Sequence, residues 1–111
     1  MNTPHPPPVH PPAPVDLVAV AVGGWQVILA WTECRAGGLG FRIERADGIG
    51  AACLFSEIGK TGVNVAAYRD GSVKPRTTYS YMVRAWNVSG DSSPTNVVEV
   101  TTPKTDTDTI E

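Results

Sequence analysis

The sequence contains little charge and no excess of basic residues. Charged residues make up 18% of the 111 positions, with 9 Lys and Arg against 11 Asp and Glu. Nucleic-acid-binding domains normally carry a basic patch, and the absence of any such cluster predicts no nucleic-acid partner. No apolar run approaches the ~20 residues of a membrane-spanning helix, which predicts no membrane insertion. The first eight residues also lack the basic and apolar regions of a signal peptide.

Histidine is equally scarce, and this limits the chemistry available. His5 and His10 both fall in a proline-rich arm, where no rigid backbone would hold them as a general base or as metal ligands. The carboxylates of Glu44, Glu57 and Asp70 are expected on separate strands or turns, as solvated surface rather than as a facing pair in a cleft. No glycine-rich loop leads into a helix. The sequence therefore predicts no enzyme activity, no metal and no cofactor.

Proline, by contrast, is concentrated at the N-terminus. Residues 1–14 contain most of the 10 prolines of the chain. Such a composition favours an extended, solvated segment, and we predict a proline-rich linker over residues 1–13. Residues 104–111 have no apolar face and are predicted to form a disordered tail. The remaining residues, 14–103, suffice for one domain.

Within this domain, apolar residues recur at every second position. Alternation of this kind gives a strand one buried and one solvated face, and glycine-rich turns separate the runs. We predict seven strands, at 15–22, 25–32, 40–46, 53–58, 64–68, 77–87 and 95–102, with a turn at Gly59. Short strands at this spacing favour an all-β, antiparallel two-sheet sandwich. The residues predicted to fill its core are Leu17, Leu29, Trp31, Phe41, Ile43, Tyr68, Tyr79, Tyr81, Val83, Val98 and Val100.

The two cysteines are predicted to be unpaired. Cys34 follows the second predicted strand and Cys53 begins the fourth, so the third strand separates them. A strand of that length spans about 20–25 Å, whereas a disulfide requires Cα atoms within about 7 Å.

Four stretches of the chain resemble the fibronectin type III family in their order and spacing. They are residues 14–17 (PVDL), 29–32 (LAWT), 41–45 (FRIER) and a long run from 68 to 103 that includes VKP at 73–75 and TYSYMVRAWN at 78–87. The match is most similar to the bacterial type found in secreted or cell-surface multidomain proteins. The resemblance implies a seven-stranded immunoglobulin-like sandwich over residues 14–103.

We make a specific prediction for each of two residues at or near the turn at residues 73–76. Tyr79 can bury its ring and return its hydroxyl to the backbone of the turn, the arrangement known as a tyrosine corner. The family usually has glycine after the turn proline, and this chain has Arg76. If that position requires positive φ, the side chain costs on the order of 1 kcal/mol.

A binding surface, if there is one, is predicted around Trp86. Its parity is opposite to that of Tyr79 and Val83, so its ring should face outward, together with Arg84 and with Arg42 from the neighbouring strand. This arrangement is most typical of a structural aromatic–cation stack, and the alternative is a platform for a sugar ring or a partner side chain. The loops 33–39 and 87–94 form a second candidate. They contribute Arg35, Asn87 and Asp91, the last of which is expected to cap its own turn.

The resemblance favours a non-catalytic accessory or spacer module of a larger extracellular or cell-surface protein, such as a carbohydrate-active enzyme. Its partners would be neighbouring domains, with the chain itself a monomer. The alternative is a protein- or carbohydrate-binding adhesion domain that uses the Trp86 and Arg84 face or the two loops. A third possibility is self-assembly through the strand 15–22, which is apolar on both faces and would be prone to pairing at a sheet edge.

Overall fold

The computed structural model describes residues 10–34, 38–48 and 54–104. These described residues form eight strands: β1 (Val15–Ala21), β2 (Val27–Thr32), β3 (Gly40–Asp47), β4 (Ser56–Gly62), β5 (Ala67–Asp70), β6 (Thr78–Asn87), β7 (Gly90–Asp91) and β8 (Val98–Thr101). No helix occurs in the described ranges. The prediction of an all-β protein is therefore confirmed, and β7 is a short addition to the seven predicted strands.

The strands form two antiparallel sheets, as predicted. The first has three strands in the order β1–β2–β5. The second has five, in the order β4–β3–β6–β7, with β8 pairing with β6 beside β7. The inward-facing residues of both sheets meet in one hydrophobic core, where Trp31 packs edge-on against Phe41 with ring centroids 5.3 Å apart.

The predicted core residues lie in or against this core. Eight of them are buried: Leu17, Leu29, Trp31, Phe41, Ile43, Tyr79, Tyr81 and Val83. Tyr68, Val98 and Val100 are partly buried and pack against the others. Burial of this apolar surface is the main force that holds the sheets together.

Strands β4 and β5 are both shifted toward the C-terminus relative to the prediction, and the continuation of β4 past residue 58 has a physical reason. Gly59 was predicted to end a strand, but it lies inside β4 and pairs with Ile43. A Cβ at Gly59 would lie 2.3 Å from the hydroxyl oxygen of Tyr68, which donates a hydrogen bond to the carbonyl oxygen of Ile58 at 3.2 Å. The glycine therefore marks a close approach of a ring to the backbone and not a turn.

Asp70 also differs from its prediction as a solvated carboxylate, since only 2% of it is exposed. It ends β5 and accepts hydrogen bonds from the Tyr81 hydroxyl (2.7 Å) and from Nη1 of Arg45 (3.0 Å). The hydroxyl and backbone N–H of Ser72 donate to its other oxygen, at 2.7 and 3.0 Å. Because β5 belongs to one sheet and β3 and β6 to the other, this carboxylate joins the two sheets.

Both expectations for the turn at residues 73–76 agree with the structure. The Tyr79 hydroxyl accepts a hydrogen bond from the backbone N–H of Lys74 at 2.8 Å, which forms the predicted tyrosine corner. Arg76 has a φ of 56°, in the region that favours glycine.

The described part of the N-terminal arm packs against the domain. Pro11 and Pro14 are buried, and the His10 ring is close enough to Gly90 that a Cβ there would lie 3.2 Å from Nε2. Cys34 is an exposed free thiol, whereas Cys53 and His5 lie outside the described residues.

Candidate binding surface

The register of β3 against β6 places two arginines side by side on the outer face of the five-stranded sheet. Arg42 is directly opposite Arg84, and Glu44 is opposite Met82. Like charges on facing positions of neighbouring strands repel each other unless carboxylates compensate them. Strand alternation predicted that Arg42 and Arg84 share this face, and Met82 lies on the same face although it is buried.

Carboxylates from three elements compensate the two arginines. Nε of Arg84 is 2.9 Å from a Glu44 oxygen, and Nη2 of Arg42 is 3.2 Å from a carboxylate oxygen of Asp91. Glu57 of β4 forms a second ion pair with Arg42. The hydrogen bond with Glu57 is the largest effect on Arg42, and it raises the pKa of the guanidinium despite partial burial. Carboxylates thus neutralise both arginines of this face, although the buried Nε of Arg42 has no hydrogen-bond partner among the described residues.

Trp86 lies at the end of this face, where β6 approaches the loop between β2 and β3. The ammonium group of Lys60 lies over the indole ring, 5.4 Å from the ring centroid. The indole Nε1 is buried without a hydrogen-bond partner among the described residues, and a Cβ at Gly40 would lie 3.2 Å from it. The cation seated on the ring is therefore Lys60, and the polar edge of the indole points into the protein.

Sequence reasoning missed Lys60 because the predicted fourth strand ended at residue 58. With β4 extending to Gly62, Lys60 pairs with Arg42, on the same face of the sheet. Strand alternation would have found it had the predicted strand continued across Gly59.

The two described candidate residues of the loops, Asn87 and Asp91, make different contacts. Asn87 ends β6, and its side-chain oxygen accepts hydrogen bonds from the backbone N–H and the hydroxyl of Ser89, at 2.8 and 2.7 Å. Asp91 was expected to cap its own turn, but its carboxylate pairs with Arg42 instead. Asp91 thereby connects the loop to the Arg42 face. Arg35 lies outside the described residues.

A second group of charges lies near the opposite pole. Arg45 pairs with Asp47 at 2.9 Å, and its guanidinium lies 4.9 Å from the centroid of the Tyr79 ring. A cavity of about 430 Å³ is lined by Arg45, Asp47, Leu54 and Ser56. Each of the two charged residues in this lining thus has a counter-charge in the other.

Further chemistry is absent from the parts of the chain that the structure describes. They contain no group of three or more His, Cys, Asp or Glu residues that could hold a metal ion. They also contain no helix of the length and hydrophobicity that a membrane span requires.

No protein-family model and no curated protein matches the sequence, but solved structures match the fold closely. The fibronectin type III domain of human fibronectin type III domain containing protein 3 superimposes with a TM-score of 0.71 at 22% identity, over 93% of this chain and 95% of that one. The FN5 domain of Drosophila Lar gives 0.63 at 21% identity, over 84% and 97%.

The chain has the fibronectin type III fold. The FN1–FN3 domains of chicken CNTN1 also match, with a TM-score of 0.71 and 18% identity. There the likeness covers 85% of this chain but only 31% of the longer one, so this chain superimposes on about one third of that FN1–FN3 stretch. The bacterial subtype stays a prediction from the sequence.

Proposed function

We propose that this fibronectin type III domain is a non-catalytic accessory module that spaces its neighbours within a larger extracellular or cell-surface protein. In this proposal, residues 14–103 form the module, and residues 1–13 and 104–111 connect it to adjacent domains. A carbohydrate-active enzyme is one such host, as the resemblance to bacterial secreted proteins implies.

The observation that carries the proposal is the position of the first and last strands. The chain enters at one pole, where His10 lies beside Gly90 and Val15 pairs with Thr32 at the end of β2. It leaves at the other pole, where Thr101 of β8 pairs with Thr78 at the start of β6. The ten residues of β6 extend about 33 Å between these poles. A module with entry and exit at opposite poles holds its neighbours apart.

The charge distribution supports the same function. Arg42 and Arg84 are paired with carboxylates of the domain itself, so this face needs no partner for its stability. Solved structures of the same fold include stretches of multidomain proteins, such as the A168–A170 domains of titin. A module of this kind is therefore expected to act by holding its neighbouring domains at a set distance.

Scattering from a tandem protein tests the spacing function. Two copies joined through residues 104–111 of the first and 1–13 of the second should give an elongated particle, longer than one copy by at least about 33 Å. The single domain at matched concentration is the control. A tandem protein whose maximum dimension barely exceeds that of the single domain would contradict the proposal.

Binding of a sugar or a partner side chain at Trp86 is the second candidate. The observation that favours this candidate is the position of Lys60, whose flexible side chain places one ammonium group over the partly exposed ring of Trp86. A ligand that stacks on this face must first displace the ammonium group. Lys60→Ala should then strengthen binding of soluble polysaccharides, and Trp86→Ala should abolish it.

Amide and indole chemical shifts during a polysaccharide titration distinguish the two candidates. A saturable shift at Trp86 that strengthens in Lys60→Ala supports binding. Unchanged spectra of the natural chain and of Lys60→Ala across several polysaccharides support the spacer function.

A further inference from the structure

Trp25 lies in the turn of the hairpin that joins β1 to β2, and 57% of it is exposed. The strand predicted to begin at this residue starts instead at Val27. Trp31, by contrast, packs in the core, and the ammonium group of Lys60 lies over the Trp86 ring. The Trp25 ring has no aromatic or cation contact among the described residues. Because tryptophan is highly buried on average, a bare ring of this kind indicates a contact with a ligand.

The turn that carries this ring is fixed to the rest of the domain. A Cβ at the buried Gly24 would lie 2.9 Å from the carbonyl oxygen of Pro103 and 3.0 Å from Cβ and Cγ of Pro75. Gly23 has a φ of 72°, in the region that glycine adopts without strain. Trp25 is therefore held in place before any ligand arrives, and binding does not have to order the hairpin.

Two exposed lysines lie next to the prolines that hold the turn, at the exit pole where the chain leaves β8. They are Lys74 and Lys104. Neither ammonium group has an ion-pair partner among the described residues. On the outer face of the five-stranded sheet, in contrast, Arg42 and Arg84 are paired with carboxylates of the domain. The exit pole thus combines a bare aromatic ring with positive charge that the described residues do not neutralise.

The carboxylates at the strand ends of the exit pole already have partners. Asp47 ends β3 and Asp70 ends β5, and both pair with Arg45. Glu99 lies two residues before Thr101 on β8 and is therefore farther from the pole. The charge around Trp25 is complementary to an anion.

We propose that Trp25, Lys74 and Lys104 bind an acidic polysaccharide. The C–H groups on one face of a sugar ring carry partial positive charge, and they stack on the negative face of the indole. A carboxylate of the same or the next sugar unit pairs with Lys74 or Lys104. A polymer repeats both groups along its length, so that successive units can rebind at one fixed ring. This inference goes beyond the spacing function, which scattering from the tandem protein tests independently.

A sugar ring fits this turn better than a peptide does. Peptides commonly bind in a groove or along a free strand edge. At this turn the N–H of Val22 donates to the carbonyl oxygen of Gln26 at 2.8 Å, so these backbone groups are already paired within the hairpin. A protruding ring flanked by flexible lysines requires only a flat apolar face and a negative charge. Poly-glutamate, which has the charge without the sugar ring, separates the two classes of ligand.

Titration of the isotope-labelled chain with oligogalacturonate, followed at the indole N–H signals, tests the site. The Trp25 signal should shift saturably, with a dissociation constant on the order of 1 mM, while the signals of Trp31 and Trp86 stay in place. The methyl-esterified oligosaccharide keeps the sugar rings without the charge, and it should bind at least about tenfold more weakly, as should poly-glutamate. A Trp25 signal that moves with neither oligogalacturonate nor oligomannuronate would overturn the proposal. Equal binding of either control would overturn the acidic polysaccharide as the ligand.

Substitutions test the ring and the charge separately. Trp25→Ala should lower the affinity for oligogalacturonate at least about tenfold, as measured at the backbone amides of the turn. Val63→Ala truncates a side chain of similar exposure, 54%, beyond the opposite end of β4 and should bind as the natural chain does. Lys74→Gln should weaken binding about threefold and reduce its dependence on ionic strength. Unchanged affinity in Trp25→Ala or in Lys74→Gln would show that the polysaccharide does not bind as proposed.

Discussion

The hydroxyl of Tyr81 donates a hydrogen bond to the buried carboxylate of Asp70, 2.7 Å away in the opposite sheet. Burial disfavours the charge of Asp70, but hydrogen bonds from Ser72, Tyr81 and Arg45 outweigh it and lower the pKa of the carboxyl group. Burial first, and Asp70 second, raise the pKa of the Tyr81 hydroxyl. The pair therefore stabilises the fold as a neutral phenol on a charged carboxylate.

Acid should weaken this contact between the sheets. The folded-state pKa of Asp70 is lower than the unfolded-state value of about 3.9. Its contribution to stability is thus complete above about pH 3.9 and is lost as the pH falls through the lower folded-state pKa. Asp70→Asn should cost about 3 kcal/mol at pH 7, because it leaves Arg45 short of its buried partner. The deficit should shrink as the pH falls to about 2.

Urea unfolding of the natural chain and of Asp70→Asn, between neutral and acid pH, measures this difference in the free energy of unfolding. The matched control is Asp47→Asn, since Asp47 pairs with the same Arg45 while its side chain is 66% exposed. That change should cost under about 1 kcal/mol at either pH. If Asp70→Asn loses the same stability at every pH, the ionised carboxylate is not the stabilising group.

Removal of the tyrosine-corner hydroxyl should destabilise the turn. Tyr79→Phe leaves the backbone N–H of Lys74 without its acceptor at 2.8 Å and should cost about 1–3 kcal/mol. Tyr68→Phe also removes one hydroxyl, which donates to Ile58 at the longer distance of 3.2 Å. The second change should cost about 1 kcal/mol or less, because the hydrogen bond is longer and partly exposed. Thermal unfolding compares the two, and equal losses would contradict a special role for the corner.

The residues that the sequence located correctly obey local rules. Trp31, Phe41 and Val83 alternate with polar neighbours, and a period of two determines which face each residue occupies. Tyr79 follows a proline-containing turn at a fixed spacing, so its role could be inferred from a few neighbouring residues.

The residues that the sequence misplaced depend on contacts between distant strands. Asp70 is buried because Arg45 and Tyr81 contact it from two other strands. No local sequence pattern indicates such a contact between distant residues. A glycine at position 59 predicts a turn, since the ring that crosses it belongs to Tyr68 in the next strand and leaves no local signal in the sequence. The error at Gly59 then concealed Lys60, and with it the cation that lies over Trp86.

Truncation of the central tryptophan should remove much of the stability. Trp31 is 6% exposed between the sheets, and Trp31→Ala should cost about 3–5 kcal/mol. Trp31→Phe should cost less, because the buried indole nitrogen has no hydrogen-bond partner among the described residues and only volume is lost. Trp25→Ala, at a position 57% exposed, is the control and should change the free energy of unfolding by under about 0.5 kcal/mol. A large loss for Trp25→Ala would show that the truncation of any tryptophan is costly.

Backbone strain at Arg76 should make glycine the better replacement at this position. A non-glycine residue at a φ of 56° is strained by about 1–2 kcal/mol, while glycine adds about 0.5–1 kcal/mol of unfolded-state entropy. Arg76→Gly and Arg76→Ala both remove the side chain and its contacts, so the difference between the two variants isolates the strain. The glycine variant should therefore have a free energy of unfolding that is higher than that of the alanine variant by roughly 0.5–1 kcal/mol. The backbone N–H at this position donates to the carbonyl oxygens of Thr102 and Pro103, at 3.1 and 3.3 Å, and both variants retain these bonds. Chemical denaturation compares the two, and equal stability of the glycine and alanine variants would show that the strain at this turn is negligible.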